Sequence, residues 1–106
     1  MSDVLVILCT FPHIEQARQI GTALVERQLA ACVNLVPTVE SIYRWEGKVE
    51  TASEVLGIFK TTRSVFPAFQ QALTALHPYD VPEIIALSPD QVAEPYRTWV
   101  LGSVVP

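Results

Sequence analysis

The sequence predicts an α+β sandwich in which two helices cover one face of a four-stranded antiparallel sheet. Three observations predict it. Apolar residues run unbroken from Val4 to Cys9, recur at helical spacing over 17–29 and 66–76, and alternate with polar ones between those stretches. The resulting order, β-α-β-β-α-β, is the split βαβ arrangement called ferredoxin-like. A short C-terminal helix completes the chain.

Each element has a local cause. Val4 to Cys9 reads as a central strand covered on both faces. Thr10 is placed to cap the helix that follows, and Pro12 is tolerated in its first turn. From Pro12 to about Gln28, one face is marked by Ala17, Ile20, Gly21, Leu24 and Gln28, and widened by Val25 and Leu29. Ala30 to Tyr43 then switches to period two. Pro37 inside this strand demands an edge position, a bulge or a bend. Glu46-Gly47 makes a turn, and the third strand is best defined from Glu54 to Thr61. Gly57 in its middle implies a bulge or a close approach of other groups to the backbone. Ser64 opens the second helix, with Phe66, Phe69, Leu73 and Leu76 on one face, and His77-Pro78 ends it. Ile84 to Leu87 reads as a buried fourth strand, and Pro95 starts a last helix carrying Tyr96, Trp99 and Val100.

The 106 residues suffice for one domain, 1–106, with a core of its own and no repeats or linkers. A net charge of −4 with scattered basic residues excludes a nucleic-acid partner, because phosphate binding needs a basic face. No apolar run is long enough to span a membrane, so no membrane partner is expected. Met1-Ser2-Asp3 lacks the basic start of a signal peptide. The chain is therefore expected in the cytoplasm, or as a mature protein from which a targeting segment has been removed. Cys9 and Cys32, both in apolar surroundings, are expected as reduced thiols.

Many functions share this topology, and several are excluded by residues. An RNA reader needs aromatics on a basic strand, and Glu54-Val55-Leu56-Gly57-Ile58-Phe59-Lys60 offers one aromatic and little charge. A copper chaperone needs two soft ligands close together after the first strand, where Cys9 stands alone. An acyl phosphatase needs an arginine between Cys9 and Glu15, and none is there. No nucleophile is spaced readably from a base, so no enzyme is expected.

Two features remain. The segment His77-Pro78-Tyr79-Asp80-Val81-Pro82-Glu83 is stiffened by its prolines, each of which fixes its own φ and restricts the residue before it. It presents His77, Tyr79 and Glu83 from a rigid connection. The second strand, taken from Ala31 to Tyr43, is long for so small a sheet. Its end would project as a hairpin carrying Tyr43 and Trp45, and such a hairpin is expected to be covered by another copy of the chain.

Four stretches in order closely resemble the CutA family of divalent-cation tolerance proteins. They are Ala31-Cys32-Val33-Asn34, Ser41-Ile42-Tyr43-Arg44-Trp45-Glu46-Gly47-Lys48, Lys60-Thr61-Thr62 and His77-Pro78-Tyr79-Asp80-Val81-Pro82-Glu83-Ile84. Cys9-Thr10 and the Tyr96…Trp99 pair also fall where that family has them. The resemblance implies a ferredoxin-like subunit in a tight homotrimer shaped like the PII signalling proteins, with the hairpin between the second and third strands extended for trimerisation. It further implies a role in tolerance of copper and other divalent cations, and in some vertebrate members an anchoring role for a membrane esterase. In some bacterial members the proposed copper ligands are the cysteine matching Cys9 and a His-His pair before Pro-Tyr. This chain has Leu76-His77 there, so one of those ligands is missing.

Chemistry supplies a candidate metal set of Cys9, His77 and Glu83 for weakly bound copper or another divalent cation. A thiolate and an imidazole suit copper or zinc, and a carboxylate adds affinity for harder ions. Each residue also has a structural alternative. Cys9 fits a buried core, His77 fits a helix C-terminus, and Glu83 could pair with Lys60. A second candidate is a ligand cleft between subunits built from Lys60, Tyr79 and Glu83, by similarity to PII-like trimers. Tyr43 and Trp45 are assigned to the trimer interface.

Overall fold

β1 (Val4–Phe11) and β3 (Lys48–Thr62) alternate buried and half-buried residues along their shared length, so one side of each faces a core. They pair antiparallel, Cys9 opposite Gly57 and Phe11 opposite Val55. β2 (Cys32–Trp45) flanks β3 and β4 (Ile85–Leu87) flanks β1, giving the strand order β2-β3-β1-β4. This is the expected four-stranded antiparallel sheet. The computed structural model describes residues 2–105, so the first and last residues of the expected 1–106 domain lie outside the described residues.

α1 (Ile14–Glu26), α2 (Phe66–Leu76) and α3 (Glu94–Ser103) complete the molecule. Ala17, Ile20, Gly21 and Leu24 of α1 are buried as their spacing predicts, as are Phe69 and Leu73 of α2. Leu76, expected on the same face, is exposed because α2 ends there and the chain turns away. The core joins Ile7, Cys9 and Phe11 to Phe59, Leu24, Phe69 and Leu73. A smaller cluster of Val4, Val65, Val100 and Val104 seats α3 at the other end.

Several expectations need correction. Thr10 does not cap α1. It lies inside β1, and the helix N-cap is His13, which makes no side-chain capping bond. β1 is inner in the sheet but covered by helices on one face only, leaving Val6 and Leu8 half-buried on the other. β4 is an exposed edge strand and not a buried one, because nothing among the described residues pairs with its outer side. β3 begins at Lys48, six residues before the predicted start, because its polar first part pairs with β2 without burying a face.

Gln28, expected on the buried face of the first helix, instead lies past the end of α1, exposed and at φ 59°. The other irregularities fall where the sequence places them. The β2–β3 register shifts between Val36 and Val39, so Pro37 sits at an irregularity on an edge strand. Glu46 and Gly47 both have positive φ, 50° and 80°, the requirement of a two-residue hairpin turn. Beyond the bulge β2 and β3 run on together as the expected projecting hairpin, with Ile42, Tyr43, Trp45 and Val49 exposed. At Gly57 a Cβ would stand 3.0 Å from the Phe11 ring and 3.1 Å from the Phe59 ring, so glycine permits close approach of both aromatics.

Candidate functional site

His77 ends α2 because Pro78 forbids the helical region to the residue before it. His77 takes φ −74° and ψ 138°, and the chain swings across the end of β1. There the imidazole meets Phe11, ring centroids 5.0 Å apart and planes 20° from parallel. His77 as a residue is 7% exposed. Its Nε2 lies 2.8 Å from the Thr10 carbonyl oxygen, and its Nδ1 accepts the Tyr79 backbone N–H at 3.1 Å. Only the neutral ring with its proton on Nε2 satisfies both bonds. Burial pulls the His77 pKa below its usual value, against the opposing pull of the Thr10 carbonyl and the Glu54 charge.

Cys9 is fully buried, and its Sγ–H points at the same Thr10 carbonyl, at 3.7 Å. Burial pushes this thiol up to about 12, and the charges of Glu83 and Glu54 add to the rise. Cys9 and His77 therefore form a closed node around one carbonyl oxygen. They are not a nucleophile and its base: the thiol stays protonated and both imidazole nitrogens are engaged elsewhere.

Beside the node lies an open cleft of about 510 Å³. Tyr43 and Trp45 enter it from the hairpin, Thr10 and Glu54 from the sheet, and Pro78 to Val81 with Glu83 from the proline-rich connection. Tyr79 is fixed on two sides. Its ring centroid lies 4.9 Å from that of His77, and its hydroxyl donates to Glu54 Oε2 at 2.6 Å. Burial, followed by the Glu54 carboxylate that accepts its proton, raises the Tyr79 pKa well above the phenol range.

The candidate residues are thus partly brought together. Cys9 and His77 share a partner, and Glu83 is near enough to act on the Cys9 thiol. Tyr79 and Glu83 share the cleft, but Lys60 does not line it. Lys60 sits six residues along β3 from Glu54, about 20 Å at strand spacing. It donates to Asn34 Oδ1, and no ion pair with Glu83 forms within the chain among the described residues. Nor do three His, Cys, Asp or Glu side chains gather among the described residues to hold a metal ion. Sequence reasoning missed Glu54 and Asp80. Glu54 carried a signal, since it shares the open face of β3 with Leu56 and Ile58, where an acid is out of pattern.

A family model described as CutA1 divalent ion tolerance protein matches residues 5–103. The chain belongs to the CutA family. It is 50% identical over 95 residues to the divalent-cation tolerance protein CutA of Thermus thermophilus, covering 90% of this chain and 92% of that protein. It is 48% identical over 91 residues to the mouse protein CutA, covering 86% of this chain and 51% of that one. The chain thus spans about half the length of its mouse relative and of the human one. The solved structure of the Thermus thermophilus protein superposes with a TM-score of 0.93 at 46% identity, covering 96% of this chain and 99% of that one. CutA from Xylella fastidiosa superposes with a TM-score of 0.95 at 39% identity, covering 98% and 100%. The family and the bacterial relative are named for tolerance of divalent cations.

Proposed function

We propose that the chain acts in divalent-cation tolerance as a cytoplasmic homotrimer that binds copper or another divalent cation weakly, through Cys9, His77 and Glu83. The observation that carries the metal assignment is the convergence of the Cys9 thiol and the His77 Nε2 on the Thr10 carbonyl, with Glu83 acting on the thiol. Such a site is weak for a stated reason. To coordinate, Cys9 must lose a proton held up to about 12, and His77 must give up one of two hydrogen bonds. The relatives named for divalent-cation tolerance support the same role.

Trimer formation is supported by what the single chain leaves uncovered. The sheet face away from the helices carries Val6, Leu8, Leu56 and Ile58 half-buried, and the β4 edge exposes Ile85 and Leu87. The hairpin exposes Tyr43 and Trp45, the interface aromatics, which also line the cleft and would form its wall at the edge of that interface. No helix among the described residues is long and apolar enough to cross a membrane.

Native mass spectrometry with Cu(II) and Zn(II) tests both parts. The expected result is a trimer carrying metal that a Cys9→Ala, His77→Ala, Glu83→Ala variant fails to retain. Equal metal uptake by the variant would remove the assignment, and a monomer would remove the assembly. A second reading, a PII-like sensor with a small ligand in the cleft, is favoured by the cleft itself, whose volume suits a small molecule.

A further inference from the structure

The cleft carries three aromatic side chains, Tyr43, Trp45 and Tyr79, and three acidic ones, Glu54, Asp80 and Glu83. Among the described residues no lysine or arginine lines it. None of the three acids takes part in an ion pair among the described residues. Such a wall repels anions. It also lacks three clustered donors that would strip and hold a bare divalent ion. Aromatic faces and separated carboxylates instead suit a cation whose charge is spread over an organic group. Ring quadrupoles attract the charge and the apolar part packs against the rings.

We propose that this cleft binds a small organic cation, an amine or guanidinium compound, between the Tyr43, Trp45 and Tyr79 rings, with Glu83 and Asp80 as counter-charges. The proposal rests on the small-ligand reading of the cleft and names its ligand class. Glu54 has a different part. Its carboxylate accepts the Tyr79 hydroxyl at 2.6 Å, which sets the ring that walls the cleft. His77 sets the same ring from the other side through the Tyr79 backbone N–H. The buried node therefore acts as the support of the cleft and needs no contact with the ligand. The volume of about 510 Å³ leaves room for a compound of one ring or a short chain.

The test compares three probes of one shape and different charge: benzylammonium, benzyl alcohol and benzoate. The readout is the indole N–H resonance of Trp45 in the assembled protein, with Trp99 on α3, outside the cleft, as internal reference. Benzylammonium is expected to shift Trp45 saturably in the millimolar range, as a ligand of its size allows. Benzyl alcohol should bind about tenfold more weakly, and benzoate should give no shift. Glu83→Gln and Asp80→Asn should each weaken benzylammonium several-fold, and added salt should do the same. Asp80→Asn should leave copper uptake unchanged while weakening benzylammonium, which keeps this result separate from the metal assignment. Equal binding of amine and alcohol, or preference for benzoate, would overturn the charge class while leaving a ligand cleft. Silence of Trp45 towards all three probes would overturn the cleft together with the proposal.

Discussion

The node around Thr10 and the cleft beside it share a strand end and a proline-rich connection, yet they treat polar groups in opposite ways. In the node every donor has a partner within the chain, and the Cys9 and His77 side chains are almost wholly removed from solvent. In the cleft three acids lack ion-pair partners among the described residues, and Trp45 is 57% exposed. A satisfied buried group contributes to the fold, whereas an unpaired group on an open wall is available to something else. The residues whose types first suggested metal chemistry, a cysteine and a histidine, are those the fold uses up most completely.

The largest effect that would break this contrast is expected at Phe11. Its ring is fully buried, stacks on His77 and fills the space left open by Gly57. Phe11→Ala should destabilise the chain by about 3–5 kcal/mol in denaturant unfolding at fixed protein concentration. Trp45→Ala, a change of similar size on the cleft side, should cost the fold of one chain far less. If the two costs were equal, Trp45 would be buried in a core or against another copy, and the division into node and open cleft would fail.

His77 comes next. His77→Ala leaves the Tyr79 N–H without its partner and the Thr10 carbonyl with only the weak Cys9 S–H donor, and should cost about 2 kcal/mol. The same residue gives a pH signature. The unfolded ring titrates near 6.5, and the folded ring below that because burial disfavours its charged form. Between the two values the unfolded chain holds more protons, so stability should fall as pH drops from about 6.5. Unfolding curves from pH 7.5 to 5 should show a decline that shrinks in His77→Gln. An undiminished decline would place its origin in another group.

Most of the fold was legible because burial writes itself into spacing. Ala17, Ile20, Gly21 and Leu24 repeat at helical period, and β1 and β3 carry their core-facing residues at every second position. What sequence could not supply was pairing between segments far apart in the chain. Thr10 was read by type as a helix cap, but its use lies in a main-chain carbonyl, which every residue has and no sequence marks. The bond of Tyr79 to Glu54 spans 25 residues, and its acceptor is set by the length of β3, which the polar stretch 48–53 concealed. Lys60 was grouped with Glu83 because opposite charges suggest a pair. Strand geometry keeps them apart within one chain.

Tyr79→Phe isolates the bridge between the two regions. It removes the hydroxyl bonded to Glu54 and leaves the ring that touches His77. Because the pair is only partly buried, the expected cost is about 1 kcal/mol, below the full value of a bond to a charged acceptor. The Trp45 resonance should still move, since it shares the cleft with the loosened ring. An unchanged Trp45 signal would separate the node from the cleft altogether.

The smallest effect on stability is expected at Glu83, and it is the most discriminating. Its side chain is exposed, so Glu83→Gln should change unfolding free energy by less than about 0.5 kcal/mol. Its charge nonetheless reaches the buried thiol, raising the Cys9 pKa beyond what burial does alone. Neutralising it should therefore bring the Cys9 titration down towards the ordinary thiol range, although burial keeps it high. Thiol absorbance followed from pH 8 upward, in a Cys32→Ser background so that one thiol reports, measures this directly. A downward shift without loss of stability would mean that a charge on the open wall sets the protonation of the closed node. Occupation of the cleft by a cation would then ease deprotonation of Cys9 in the same direction. An unmoved titration would mean that burial alone holds the thiol, and that the two regions meet only through the Tyr79 ring.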